Sequence, residues 1–284
     1  MAKLIFGCGY LGSRVAQRWR ERGDEVYVVT RSGERAAALK RAGYQPIVAD
    51  VMRPASLIGL PVAETVLYAV GFDRTAGVSI RQVFVEGLRN VLASLPAETG
   101  RLIYVSSTGV YGQCSGEWID EHSICQPQRE GGQACHDAEQ LLIAHPLGQR
   151  AIRLRMAGLY GPGRIPNAEE IRRGQPVAVP SAGFLNLIHV DDAVAAVLAA
   201  EKAKAPALYL VADGHPVERS EYYRVLARIL GAPAPRFESP PAGSPHAARA
   251  GASKRIRNER MLTELGVAPS YPSYREGLAA IVSQ

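Results

Sequence analysis

The stretch "LIFGCGYLGSRVAQRW" (residues 4–19) constrains the fold most, because it carries three glycines in a G-x-G-x-x-G pattern between a strand-like and a helix-like segment. In such a unit Gly7 permits a tight turn, Gly9 lets the backbone approach a pyrophosphate, and Gly12 lets helix and strand pack closely. The N–H groups and dipole of the helix N-terminus favour an anion there. The pattern predicts a dinucleotide-binding loop, and the alternative is a glycine-rich turn without a ligand.

The residues after the second and third strand-like runs bear on the type of cofactor. The second run ends at Thr30 and Arg31, where an acid would bind a ribose 2′-hydroxyl and an arginine accommodates a 2′-phosphate. Arg31 therefore favours NADP over NAD, unless it is a solvent-exposed arginine. Asp50 is a candidate partner for the adenine amino group, or a simple turn residue. The predicted cofactor-binding residues are Gly7, Gly9, Tyr10, Leu11, Gly12, Thr30, Arg31, Asp50, Val51, Ala69, Val70 and Gly71.

Strand-like and helical segments alternate through the first two hundred residues. The strand candidates are "KLIFG", "EVYVVT", "QPIVAD", "TVLYAV", "RLIYVSS" and "RAIRLR". Near-continuous apolar runs separated by helices indicate an α/β fold with a Rossmann-type, doubly wound parallel sheet. After Gly158 the chain is rich in Gly and Pro, and "LNLIHVDDAVAAVLAAE" is expected to rejoin the main sheet.

These patterns predict two interleaved domains. Residues 1–157 and about 184–202 form the NAD(P)-binding domain, and residues 158–183 and about 203–284 form a small C-terminal substrate-side lobe. The lobe is expected to contain a helix at 218–230 and a Pro/Gly/Ala-rich loop at 232–252.

Composition narrows the function classes. The 284 residues are 47% hydrophobic with a net charge of +6, and no block of like charges suggests a nucleic-acid tail. The four cysteines contain no CxxC pair and fit neither a disulfide scaffold nor a compact zinc site. No apolar run reaches the roughly 18 residues needed to cross a bilayer, and the strand-like start leaves no room for a signal peptide. We expect a cytoplasmic protein with a small-molecule substrate, no metal, no membrane contact and no nucleic-acid partner.

Three further segments carry a family resemblance: "YVSSTGVYG" (104–112), "LRMAGLYGPGR" (154–164) and "LIHVDDAV" (187–194). Together with the glycine loop they resemble the extended short-chain dehydrogenase/reductase family, in its NAD-dependent epimerase/dehydratase group. The resemblance covers essentially the whole chain. It implies a Rossmann domain that binds NAD(P), a smaller C-terminal lobe that often binds a nucleotide sugar, and dimers formed through a helix pair.

The resemblance also implies an active-site set. Its serine falls on Ser107, with Thr108 beside it, and its substrate-contacting tyrosine falls on Tyr111. Its catalytic tyrosine and lysine fall on Gly131 and Cys135, and no tyrosine in the chain is followed by a lysine four residues later. The earlier family glycine falls on Phe6, with Gly7 used instead. This resembles an atypical branch that lacks the Tyr-x3-Lys pair.

Two questions then remain open in the sequence. His136 lies one residue from the vacated lysine position and is a candidate proton shuttle, although one residue on a helix turns a side chain by about 100°. Arg155 and Arg164 are candidates for a substrate phosphate or carboxylate. Lys254 and Arg255 are anion candidates too, or parts of a solvated face.

Two functions fit these features. The first is an NAD(P)-dependent oxidoreductase acting on a hydroxyl or carbonyl of a sugar-nucleotide-like or phosphorylated small molecule. The alternative is a catalytically silent NADP(H)-binding sensor or interaction protein.

Overall fold

The computed structural model describes residues 1–241 and 251–283. Positions 242–250 of the predicted Pro/Gly/Ala-rich loop, and residue 284, lie outside the described residues.

The strands are β1 Ala2–Phe6, β2 Glu25–Thr30, β3 Gln45–Val48, β4 Thr65–Tyr68, β5 Arg101–Ser107, β6 Glu117–Ile119, β7 Ala151–Met156, β8 Gly158–Tyr160, β9 Phe184–Leu185, β10 Leu187–His189, β11 Ala207–Val211, β12 Val217–Glu218 and β13 Lys254–Ile256. The α-helices are α1 Gly12–Glu21, α2 Gly33–Arg41, α3 Gly87–Ser94, α4 Glu130–Ala144, α5 Ala168–Arg172, α6 Val190–Ala200, α7 Arg219–Ile229, α8 Glu259–Thr263 and α9 Tyr274–Val282. A π-helical turn, Gln82–Glu86, precedes α3.

The main sheet has seven strands in the order β11-β7-β5-β4-β1-β2-β3. Strand β1 pairs in parallel with β2 on one side and with β4 on the other, so the strand order reverses at β1. Ligands bind at such a switch point in doubly wound sheets, and the glycine loop follows β1 directly. The predicted Rossmann-type α/β fold is confirmed.

The chain forms two compact units that interleave along the sequence. The first unit contains Met1–Val110, Glu130–Arg155 and Ala196–Tyr209. Its core is an apolar cluster that includes Leu4, Phe6 and Leu88. Tyr68 and Tyr104 stack within the same cluster, with ring centroids 5.8 Å apart.

The second unit contains Tyr111–Arg129, Met156–Ala195 and Leu210–Gln284. Three two-stranded sheets lie in it: β6 with β13, β8 with β10, and β9 with β12. A separate aromatic core includes Tyr160, Tyr222 and Tyr274.

One topological prediction is wrong. The segment "LNLIHVDD" does not rejoin the main sheet, because β10 pairs with β8, and β11 takes the edge of the main sheet instead. The β8–β10 pairing groups residues 184–195 with the second unit, and the β6–β13 pairing does the same for residues 111–129. The predicted domain bounds differ from the two units in these segments.

Within residues 1–241 and 251–283, none of the helices combines the length and the apolar character that spanning a bilayer requires.

Candidate functional site

The three glycines of the loop have distinct geometries. Gly7 has φ +90°, and a Cβ atom there would lie 2.2 Å from the carbonyl oxygen of Ala69. A Cβ atom on Gly12 would lie 2.3 Å from the carbonyl oxygen of Gly7. A Cβ atom on Gly9 would meet nothing within 4 Å. Gly7 and Gly12 are therefore required by the protein's own packing, whereas the open side of Gly9 leaves room for a ligand to approach the backbone.

The N-terminus of α1 lies beside this open backbone. Its N-cap residue is Leu11, which offers no side-chain acceptor, and its first turn contains no acidic residue. The leading N–H groups of a helix need acceptors, and an anion supplies them well. Gly9 and the uncapped α1 therefore fit the pyrophosphate of a dinucleotide.

Two arginines lie where β2 leads into α2. Arg31 is exposed and its guanidinium is 3.3 Å from the carboxylate of Asp73. Hydrogen bonds from Thr75 and from Arg31 hold the pKa of Asp73 below its ordinary value. The Arg35 guanidinium donates a hydrogen bond to the carbonyl of Cys8, inside the glycine loop.

Sequence reasoning missed Arg35 as a ligand candidate. The available signal was its spacing, because Arg35 lies four residues after Arg31 in the first turn of α2. Ser32 caps that helix by accepting a hydrogen bond from the backbone N–H of Arg35 at 3.2 Å. The cap fixes the start of the helix and so the place from which Arg35 reaches back to the loop.

The other predicted cofactor residues surround the carboxyl ends of β1 to β4. One carboxylate oxygen of Asp50 accepts the backbone N–H of Met52 at 2.9 Å, the geometry of a turn residue. Its adenine contact stays a prediction. The hydroxyl of Thr30 accepts the backbone N–H of Ser32 at 3.4 Å. A Cβ atom on Gly71, after β4, would meet nothing within 4 Å, so that end of the strand is open as well.

Ser107 ends β5, and Thr108 begins the short 3-10 turn that follows. The Ser107 Oγ atom accepts the backbone N–H of Gly109 at 3.0 Å, so its side chain caps the turn that follows β5. Its hydroxyl hydrogen has no acceptor among the described residues. A hydroxyl can donate one hydrogen bond while it accepts another, and the predicted contact of Ser107 with a substrate oxygen stays a prediction.

Helix α4 holds the positions where the family's tyrosine and lysine are expected. A Cβ atom on Gly131 would lie 3.2 Å from the Cδ1 atom of Ile80. Cys135 is buried beside Tyr104, whose pKa is raised by burial and by the nearby thiol. Both positions face packed surroundings in the first unit. His136 is half-buried, and its Nδ1 atom has no hydrogen-bond partner among the described residues.

The same helix explains Arg155. Glu139 of α4 is fully buried and accepts hydrogen bonds from Arg155 Nε at 2.9 Å and from a terminal Arg155 nitrogen at 2.7 Å. Ser106 donates to Glu139 at 2.5 Å, and Arg153 lies 3.4 Å from it. The Arg155 guanidinium is therefore held by an internal carboxylate at two of its nitrogens, and the expected contact with a substrate stays a prediction.

In the second unit, the predicted substrate residues have different surroundings. Tyr111 is buried, and its hydroxyl donates to the carbonyl of Asp120 at 3.0 Å. Arg164 is exposed, and its backbone forms a bridge with Gly161. A substrate contact for either stays a prediction. His189 packs edge-on against Tyr160, with ring centroids 5.3 Å apart, in keeping with a packed strand residue.

Lys254 and Arg255 are neighbours in β13, so their side chains point to opposite faces of the strand. Lys254 points inward and is buried, while the Arg255 guanidinium lies 4.9 Å from the Trp118 ring centroid and 5.1 Å from that of Phe184. Arg255 Nε also donates to the carbonyl of Gly116 at 2.7 Å. The two residues therefore have unlike environments, although both were predicted as anion candidates or parts of a solvated face.

Asp213 is a further titratable group of the second unit. Its Oδ1 atom accepts the backbone N–H of His215 at 2.9 Å, and its Oδ2 atom has no partner among the described residues. Burial raises its pKa to about 7. A carboxyl group in this state changes protonation near neutral pH.

A doubly wound sheet with an open glycine loop at its switch point defines the class: a dinucleotide-binding protein of the Rossmann type. The family follows from sequence comparison. The model of the NAD dependent epimerase/dehydratase family matches residues 4–212, and the chain belongs to this family.

Individual relatives agree with the family. Protein YeeZ of Escherichia coli K12 is 32% identical over 174 residues, which span 61% of this chain and 59% of YeeZ. A 3-diazoavenalumate denitrifying reductase of Streptomyces sp is 27% identical, with 98% of this chain and 99% of that protein covered.

Solved structures agree as well. A protein from Methylobacillus flagellatus, provisionally described as an NAD-dependent epimerase/dehydratase, has 32% identity and a TM-score of 0.80, covering 99% of this chain and 97% of its own. The UDP-glucose 4-epimerase of Thermotoga maritima, solved with UDP-glucose, has 20% identity and a TM-score of 0.84, covering 100% and 98%. At that identity the likeness shows the fold alone.

Proposed function

We propose that the protein is an NADP(H)-dependent oxidoreductase that acts on a hydroxyl or carbonyl carbon of a sugar-nucleotide-like or phosphorylated small molecule. The observation that carries the proposal is the open glycine loop with two guanidinium groups, Arg31 and Arg35, at the adjoining end of β2. A homodimer and a cytoplasmic location remain part of the proposal, tested by sedimentation and by cell fractionation.

In this proposal, different residues bind different parts of the cofactor and the substrate. The backbone at Gly9 and the N-terminus of α1 hold the pyrophosphate. Arg31 and Arg35 neutralise the 2′-phosphate, with Arg31 exchanging its Asp73 partner for the phosphate. Ser107 donates a hydrogen bond to the substrate oxygen and polarises it, without giving up its proton. The cofactor supplies the hydride chemistry, and the protein supplies position and electrostatics.

Two of the similar proteins bear on the substrate class. The Thermotoga structure contains UDP-glucose, and the Streptomyces relative is named as a reductase. Both facts concern those proteins, and they favour a nucleotide sugar or a reducible small molecule as the first compounds to screen.

The proton step has one candidate in α4. The Nδ1 atom of His136 lacks a partner among the described residues, so the imidazole is able to exchange a proton with a ligand. A general acid or base must reach the reacting oxygen, and His136 is the residue of α4 that we propose for this step.

A second function is favoured by a specific observation, namely the packed surroundings of Gly131 and Cys135. A protein without the Tyr-x3-Lys pair is able to bind NADP(H) and report the redox state without turning over a substrate. Such a protein would bind NADP(H) at the same site but would not transfer hydride to or from a substrate.

The first experiment measures cofactor choice by titrating NADPH and NADH against nicotinamide fluorescence. We expect NADPH to bind at least about tenfold more tightly, which corresponds to about 1.4 kcal/mol. Arg35→Ala and Arg31→Ala should each reduce this preference, while Arg41→Ala, an exposed arginine at the other end of α2, should preserve it. Equal affinity for NADH and NADPH would refute the NADP assignment.

The second experiment separates the two functions. The protein is screened for NADPH turnover with UDP-sugars and small carbonyl compounds, together with Ser107→Ala and His136→Asn. For an enzyme we expect Ser107→Ala to lower kcat/KM by about 100-fold, the scale of one oxyanion donor. Tight NADPH binding with no turnover of any compound favours the silent protein.

A further inference from the structure

Among residues 1–241 and 251–283 two lysines are buried, and their surroundings differ. Lys3 is 2% exposed and lies 3.2 Å from Glu64 and 3.0 Å from Glu201, with Thr65 as a third acceptor. All three of its N–H groups therefore have acceptors, two of them anionic. This is the ordinary arrangement of a buried cation in a protein.

Lys254 has none of that compensation. It is 6% exposed, and among the described residues its ammonium group donates one hydrogen bond, to the backbone carbonyl of Tyr111 at 2.6 Å. Among the described residues no carboxylate lies within ion-pair distance of its ammonium group, and Arg129 is a nearby like charge. The other two N–H groups of the Lys254 ammonium have no acceptor among the described residues.

The charged side chains near Lys254 do not supply acceptors for its two remaining N–H groups. Glu117, its neighbour in the β6–β13 register, turns its carboxylate to the backbone N–H of Ser115 at 2.9 Å. Arg219 donates to the carbonyl of Ala252, just before β13. Burial, and then the Arg129 charge, lower the pKa of Lys254 to about 8. A lysine in this state is half neutral near the pH of a slightly alkaline buffer.

An uncompensated buried cation is costly, because the ammonium loses its water and gains too few partners. A surface position would avoid that cost, and the next residue, Arg255, is stabilised outside by two aromatic rings. The oxygen atoms of a bound anion would supply two further acceptors and offset the Arg129 charge.

We propose that Lys254 is the centre of an anion-binding site in the second unit, completed by a carboxylate or phosphate group of the substrate. The inference rests on the proposed function for the identity of the ligand as substrate. It adds a charged group to that substrate and names the residue that binds it. Arg129 contributes by its charge.

The test is calorimetric titration of the cofactor-free full chain at pH 7.5, 8.5 and 9.5 with inorganic phosphate, UDP and benzoate. Phosphate and UDP represent phosphate oxygens, and benzoate represents a carboxylate. We expect at least one probe to bind and its Kd to weaken at least tenfold between pH 7.5 and 9.5, because only the protonated amine attracts an anion.

Three variants distinguish Lys254 from other cations. Lys254→Met should lose at least tenfold in affinity at pH 7.5, whereas Lys202→Met, an exposed lysine, should bind as the wild type does. Lys254→Arg should bind with an affinity that stays flat to pH 9.5, since a guanidinium remains charged there. For each probe, the difference between the wild type and Lys254→Met measures this site, so phosphate bound at the glycine loop does not enter the comparison.

The melting temperature of each variant is measured to show whether a loss of anion binding results from a loss of folding. Lys254→Met should melt at or above the wild-type temperature, because it removes a buried charge without a counterion. The proposal is overturned if no probe binds, if Lys254→Met binds normally or melts markedly lower, or if Lys254→Arg keeps the wild-type pH slope. Failure of NADPH to bind in the separate cofactor titration would instead refute the proposed function.

Discussion

Replacing Arg155 by methionine tests whether this arginine stabilises the fold or binds substrate. Arg155 is 4% exposed and Glu139 is fully buried, so the substitution leaves a carboxylate in the interior with its bidentate partner removed. Breaking a buried pair in this way costs about 3–5 kcal/mol. Ser106 and Arg153 remain as partners of Glu139, so we expect the lower end, about 3 kcal/mol.

The assay is thermal unfolding followed by circular dichroism. A loss of about 3 kcal/mol corresponds to a fall in Tm of roughly 6–12 °C, at about 2–4 °C per kcal/mol. The double variant Glu139→Gln/Arg155→Met should recover part of that loss, because no uncompensated carboxylate remains. Arg164→Met is the matched control, since Arg164 is exposed, and its Tm should change by at most about 2 °C.

Two outcomes would contradict a structural role for the Arg155–Glu139 pair. If Arg155→Met melts like the wild type while the KM for a substrate rises strongly, Arg155 binds substrate and its pairing with Glu139 contributes little to stability. Equal losses in the single and the double variant would show that the uncompensated Glu139 charge is not the cause.

Further predictions concern the loop, the second unit and α4. Gly9→Val should abolish NADPH binding in a fluorescence titration with little change in Tm, whereas Gly7→Ala should fail to fold, because its Cβ would meet Ala69 at 2.2 Å. Asp213 has a folded pKa of about 7 against an ordinary 3.8, so its penalty grows as pH rises through that window. Asp213→Asn should therefore be stabilising by on the order of 4 kcal/mol at pH 8 and by less at pH 5 in denaturant unfolding; equal effects at both pH values would contradict this. Cys135→Lys should lower the free energy of unfolding by at least about 2 kcal/mol, since it buries an ammonium beside Tyr104.

Local signals predicted the fold because they agree with one another. The glycine pattern, the apolar runs and the spacing of β1 and β2 all indicate one βαβ unit, and such a unit fixes most of a doubly wound sheet. The partner of β10 was not predictable in this way. Whether a short strand pairs with β8 or with the main sheet depends on distant residues, and "LIHV" has the composition of either.

The site was predictable only where geometry follows from the backbone. The glycines and Ser107 lie at strand ends, so their positions follow from the fold. Arg155 and Lys254 differ, because the sequence shows a cation without showing its partner. Glu139 lies 16 residues before Arg155 and on another element, so only the structure distinguishes an internal pair from a ligand site.

One face of α4 contains the positions at which the family's catalytic tyrosine and lysine are expected. Positions 131, 135 and 139 are four residues apart and share that face. In this chain they carry a glycine against Ile80, a buried cysteine beside Tyr104, and the carboxylate that binds Arg155. A face with these three packing roles has no side chain left for proton transfer. If the protein turns over a substrate, its proton must therefore come from a residue off this face. Within α4 that residue is His136, about 100° around the helix from Cys135.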